Sequence, residues 1–173
     1  MDPAEYLAIV PLLIYGIGIT DLLGQWKRFF NKEGRFPLYI LYTIILTEVA
    51  IYNVVIYIDL VNILPEQTYF RYLTFLLPPI LFLMVVNVFT PDEGSNTEAY
   101  FTKNVRLIFT LTTLFVASHF LYTFEETQLT VYIRILILCL LAAVVIFRKQ
   151  WLMYLVGIFW LIGLFNKGGM LVS

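Results

Sequence analysis

Six apolar runs, near residues 6–26, 37–62, 70–90, 104–124, 130–147 and 151–166, constrain this chain more than any other feature. A helix needs roughly 20 apolar residues to cross the hydrocarbon core of a bilayer, and lipid offers no partner to an open strand edge. The pattern predicts an all-α fold, a polytopic transmembrane helical bundle of about six spans, over a single transmembrane domain comprising residues 1–173. Composition agrees, with 61% hydrophobic residues and 13% charged, far from the soluble range. No segment is long enough for a separate soluble domain, and no internal repeat of the kind seen in many secondary transporters is visible.

The last two runs are short and joined only by RKQW, which reads as a tight helical hairpin. The segment TPDEGSNTEAYFTKN holds a turn at Pro91, Gly94 and Ser95, and its later half is also read as extending the fourth helix beyond the membrane. The start, MDPAEY, lacks a basic region, so the first run reads as a retained span and not a cleaved signal peptide. Basic residues are unequally shared between the two sides that six spans create. Lys27, Arg28, Lys32, Arg35, Lys103, Arg106, Arg148 and Lys149 fall on one side, and Arg71, Arg134 and Lys167 on the other. The positive-inside rule therefore predicts that both termini are non-cytoplasmic.

A net charge of −1 and scattered basic clusters argue against nucleic-acid binding. Cys139 is the sole cysteine and His119 the sole histidine, which leaves no disulfide, zinc or bis-histidine haem set. No cofactor and no metal are expected. None of the lysines, at 27, 32, 103, 149 and 167, lies at mid-membrane to anchor a retinal Schiff base. P-loop, dinucleotide, zincin and hydrolase motifs and a TVGYG potassium filter are absent from the sequence.

The ionisable residues within the spans carry the functional expectations, because each costs at least about 2.5–3.5 kcal/mol at the bilayer centre. Glu48 lies about eleven residues beyond Pro37, roughly 16 Å deep at the helical rise. Helical spacing places Glu48, Tyr52, Val55 and Asp59 on one face, with Thr47 and Asn53 beside it. That seam reads either as a relay or substrate contact, or as a protonated acid hydrogen-bonded to a neighbouring helix. Asp21 shares a face with Gln25 nearer the basic side, and reads as an inner mouth or an interfacial hydrogen bond. Gly16, Thr20 and Gly24 form a small-residue ladder for close helix approach.

His119 reads as a proton-linked switch beside Arg134 or Asp59, or as a satisfied neutral imidazole. Arg134 itself either snorkels outward or pairs with an acid. Pro78 and Pro79 remove two backbone donors from the third span, predicting a kink and carbonyls without their usual partners. Asn87 lies near the inner end of that span. Convergence of the helices would stack Asp21 and Asn87, then Glu48, then His119, Arg134 and Asp59 in a column.

The run YGIGITDLLGQWKRFF, its basic loop and aromatic second span, and the later FTPDEGSNTEAYFTKNVRLIF are similar to patterns of small multi-span bacterial membrane proteins of uncharacterised activity. The resemblance implies a bacterial inner (cytoplasmic) membrane and transfers no functional residue. The leading expectation is a small channel or transporter for an ion, proton or small solute. It would sit in the lipid bilayer, as a possible homo-oligomer with a pathway at the subunit interface. The alternatives are a membrane-embedded enzyme acting on a lipid, with Glu48, Asp21 or His119 in acid–base roles, and a membrane sensor or interaction protein.

Overall fold

A computed structural model describes residues 3–30, 35–60, 69–121 and 128–168, with side chains over 7–30, 35–57, 69–121 and 131–162. The described residues are almost entirely helical, with no strand among them. In chain order the elements are α1 (Pro3–Gln25), α2 (Lys27–Phe30), α3 (Pro37–Leu60), α4 (Tyr69–Phe89), α5 (Thr97–Ser118), a 3₁₀ turn (His119–Leu121), α6 (Gln128–Phe147) and α7 (Gln150–Gly168).

Four helical stretches are long and apolar enough to cross a bilayer: Leu7–Phe30, Pro37–Tyr57, Tyr69–Phe89 and Thr97–Leu121. They point to a membrane protein. Over their described residues the last two helices are shorter, at Val131–Phe147 and Gln150–Ile162. They form the expected hairpin, turned at Arg148, whose φ of 50° is unusual for a residue with a side chain. The fourth span begins at Thr97, so the polar half of its preceding segment does extend the helix. Asn96 caps it, its side chain accepting from the Ala99 amide at 2.9 Å, which satisfies one of the donors a helix start leaves open.

The six long helices close into a ring in the order α1, α4, α5, α6, α7, α3, and α3 also touches α5 across the middle. Aromatic side chains fill that middle. Tyr39 stacks on Phe89 with ring centroids 4.5 Å apart, and Tyr42 meets Phe109 edge-on at 5.1 Å. Phe82 and Phe115 lie 5.6 Å apart. Between α3, α5, α6 and α7 remains a void of about 20 Å³, bordered mainly by Ile45, Leu46, Val49, Leu141 and Val156. So small and apolar a space carries no solute.

α4 runs unbroken through Pro78 and Pro79. Pro79 has no N–H to give the Phe75 carbonyl one turn back, and the Tyr57 hydroxyl of α3 donates to that carbonyl instead. A neighbouring helix thus supplies the hydrogen bond that proline removed, as membrane helices require. Glycine acts at the α3–α7 contact, where a Cβ on Gly157 would lie 2.6 Å from Leu41 Cδ2. The same close approach brings the Tyr42 hydroxyl to the Met153 carbonyl at 2.8 Å.

Candidate functional site

Glu48 stands midway along α3, on the flank that the ring turns outward. Its neighbours on that face, Ile44, Ile51 and Val55, are all exposed. Glu48 itself is half-buried, because α7 leans over it and the Trp160 indole N–H donates to Oε2 at 3.3 Å. Beside the carboxyl group lies a groove of about 370 Å³, lined on α3 by Ile44, Thr47, Glu48, Ile51, Tyr52 and Val55. Trp26, at the α1–α2 junction, adds an indole ring to the same groove. The Thr47 hydroxyl donates to the Thr43 carbonyl at 2.8 Å, so its hydrogen stays within the helix.

A second polar pair crosses the ring interior. Asn53 is buried, and its Nδ2 donates to the Val49 carbonyl at 2.8 Å. A carbonyl only accepts, so the amide oxygen must face the other way, toward His119 Nε2 at 2.9 Å. His119 Nδ1 lies 2.9 Å from the Phe115 carbonyl. Two acceptors therefore face the two ring nitrogens, and a ring carrying both protons donates to both. The edge of this imidazole also meets the Phe115 ring, with centroids 4.7 Å apart.

Asp21 is exposed on α1 and Asn87 is exposed on α4. The Arg134 guanidinium lies 5.1 Å from the Phe120 ring centroid, a cation–π contact. The expectation on the Asp59 side chain lies outside the described residues. Among its expected members, then, the structure joins Asn53 to His119 by a hydrogen bond and sets Glu48 and Tyr52 on one groove. Gly16, Thr20 and Gly24 are exposed, with nothing within 4 Å of a Cβ built on either glycine.

Sequence reasoning missed the most elaborate polar cluster, at the basic end of the bundle. Arg28 is 9% exposed. Its Nε donates to Gln25 Oε1 at 2.8 Å, and Nη2 to the Pro91 and Asp92 carbonyls at 2.9 and 2.7 Å. Nη1 reaches the Ser95 carbonyl and Thr97 Oγ1, each at 3.4 Å. All five guanidinium donors thus meet oxygens, which is the fork geometry arginine supplies and lysine lacks. Tyr39 donates to the same Gln25 oxygen at 3.2 Å. The cluster ties the α1–α2 corner to the α4–α5 turn, where Gly94 takes a φ of 81° that costs glycine little. At the surface Lys27 pairs with Glu93. The Lys27 ammonium holds the Glu93 carboxyl below its usual range, first through the hydrogen bond and then through charge attraction.

The i, i+3 spacing of Gln25 and Arg28 is the one local signal that points to this cluster, since the turn that completes it lies more than sixty residues on. Among the described residues no group of three or more His, Cys, Asp or Glu side chains is placed to hold a metal ion. No family model, curated protein or solved structure matches the chain.

Proposed function

We propose that this protein is a small integral membrane transporter or channel that moves an ion, proton or small solute, with Glu48 as the charge-handling residue of the pathway. The observation that carries the reading is the Glu48 groove: a carboxyl group at mid-helix, held by the Trp160 indole and bordering about 370 Å³ of open space. The aromatic filling of the ring favours a route along the outer flank of α3 over one through the middle, which suits an interface between copies of the chain. Asn53 and His119 supply a separate place where a proton can be taken up, because both ring nitrogens face acceptors. The basic residues of the Arg28 end favour its placement at the cytoplasmic face, with both termini on the other side. The similarity to small bacterial proteins favours the inner membrane.

The test is flux from proteoliposomes holding the full chain, for protons and small monovalent ions under an imposed gradient. Wild-type flux is expected to fall to background in Glu48→Gln, while helicity and elution volume stay unchanged. Flux that persists in the mutant overturns the role of Glu48.

A further inference from the structure

We infer that the flank formed by α5 and the α6–α7 corner, at the basic end of the bundle, is a binding surface for an anionic phospholipid. Lys103 and Arg106 on α5, with Arg148 and Lys149 at the corner, are the cations that meet its headgroup. The inference does not depend on Glu48 or on the transport reading.

The first argument is how the basic residues of this end are used. Lys27 pairs with Glu93, Arg28 is enclosed by oxygens, and Arg35 Nε donates to the Phe29 carbonyl at 2.9 Å. The side chains of Lys103, Arg106, Arg148 and Lys149 are exposed and make no hydrogen bond or ion pair with any described residue. Glu98, in the first turn of α5, is off the i+3 and i+4 spacings at which it would meet Lys103 or Arg106 along the helix. Four cations thus lack a counter-charge among the described residues.

The second argument is that they share one layer. Tyr42 of α3 meets the rings of Phe101 and Phe109 on α5, with centroids 6.3 and 5.1 Å away, and its hydroxyl donates to the Met153 carbonyl of α7 at 2.8 Å. Lys103 and Arg106 lie between those two phenylalanines in sequence, and Arg148 and Lys149 lie just ahead of Met153. α6 packs against both α5 and α7, so the two pairs are neighbours around the ring. Tyr42 is within about 8 Å of the start of α3 at the helical rise, which sets this layer at the headgroup boundary of a span that begins at Pro37.

The third argument is the apolar setting. Leu107 beside Arg106, and Ile146, Phe147 and Trp151 around the corner, are all exposed. A ligand suited to such a surface carries an anion next to hydrocarbon, as a phospholipid does. Lysine and arginine stems lie along the acyl chains while their charged ends reach the phosphate, and an indole favours the same boundary. A zwitterionic headgroup brings its own ammonium and neutralises little, so a lipid of net negative charge is selected, by about five-fold for each cation engaged.

The test reads Trp151 fluorescence in the full chain carrying Trp26→Phe and Trp160→Phe, reconstituted in phosphatidylcholine vesicles. Brominated phosphatidylglycerol or brominated phosphatidylcholine is added at matched mole fraction, because bromine quenches an indole that it touches. A preference of at least about five-fold for the glycerol lipid is expected. It should fall to near parity in Arg148→Gln/Lys149→Gln and in Lys103→Gln/Arg106→Gln, and remain in Lys27→Gln, which removes a charge from the same end outside this surface. Unchanged quenching by brominated phosphatidylcholine shows that each variant is still seated in the bilayer.

Equal quenching by the two lipids in the parent chain, a preference that survives either double substitution, or one lost as readily in Lys27→Gln overturns the proposal. So does a preference abolished by excess inorganic phosphate at constant ionic strength, which would assign the cations to a soluble anion.

Discussion

Arg28 and Glu48 both set an ionisable side chain among apolar helices, and the bundle treats them in different ways. Arg28 is sealed by oxygens from α1, from the α4–α5 turn and from the first residue of α5. Glu48 is half-buried and borders open space. The first arrangement leaves no donor for a ligand, and its acceptors are mostly fixed backbone carbonyls. It is a clamp. The second pairs a chargeable oxygen with room for something to approach it, which is what a binding or exchange site needs. Polar residues in a membrane bundle therefore divide less by how deep they lie than by whether open space adjoins them.

The largest expected effect comes from breaking the clamp. Arg28→Met leaves the buried Pro91 carbonyl and the part-buried Asp92 carbonyl without their Arg28 donor and should cost on the order of 3 kcal/mol, read as a lowered Tm in detergent. Arg28→Lys should recover only part, because an ammonium cannot span the forked set of acceptors. Full recovery by lysine would show that charge alone holds the turn.

A smaller effect tests whether the α3–α4 contact at Tyr57 is held by the proline-freed carbonyl. Tyr57→Phe should cost about 1 kcal/mol. Pro79→Ala returns an amide N–H to the Phe75 carbonyl, so it should stabilise the Tyr57→Phe protein more than it does the wild type. Additive effects in this double-mutant cycle would separate the proline from the tyrosine.

The smallest effect is expected at the Lys27–Glu93 pair, whose side chains are 63% and 85% exposed. Exposed pairs contribute little, and Glu93→Gln should leave the Tm at pH 7 within experimental scatter. The sign of the pH dependence is set by the lowered Glu93 carboxyl. Whatever the pair contributes is present above the ordinary glutamate value and fades as the pH falls through the lowered one. Thermal melts of wild type and Glu93→Gln should coincide within scatter from pH 7 to pH 3, and a gap at pH 7 that closes at the acid end would show that the pair contributes more than an exposed pair does.

Much of the architecture was legible from hydropathy, because a bilayer imposes a fixed length and forces the backbone to bond within each helix. The hairpin at RKQW and the loss of backbone donors at Pro78 and Pro79 followed from local chemistry, whereas the fourth helix begins at Thr97, ahead of the run at 104–124 and as only the alternative reading of its polar segment had it. The identity of the repairing donor did not follow from local chemistry, since Tyr57 lies on another helix and looks like any other apolar-span tyrosine. Asn53 was a candidate because it flanks the Glu48 face, and His119 because it is the sole histidine. That they bond to each other depends on α3 crossing α5. Arg28 counted only as one basic residue among eight on its side, because the oxygens that enclose it come from a distant turn.

The sequence by itself determined the solvent this chain is built for, the order and approximate placement of its helices, and the short set of polar residues that apolar surroundings make conspicuous. Those properties depend on spacing along one segment and on the energy of placing charge in hydrocarbon. Only the tertiary structure decided that the helices close into a ring with an aromatic centre, that Glu48 faces outward onto a groove under Trp160, and that Arg28 is enclosed. The reason is geometric. Each of those outcomes depends on the rotation of a helix about its axis, and that rotation is set by what the neighbouring helices bring to meet it, not by the helix's own residues.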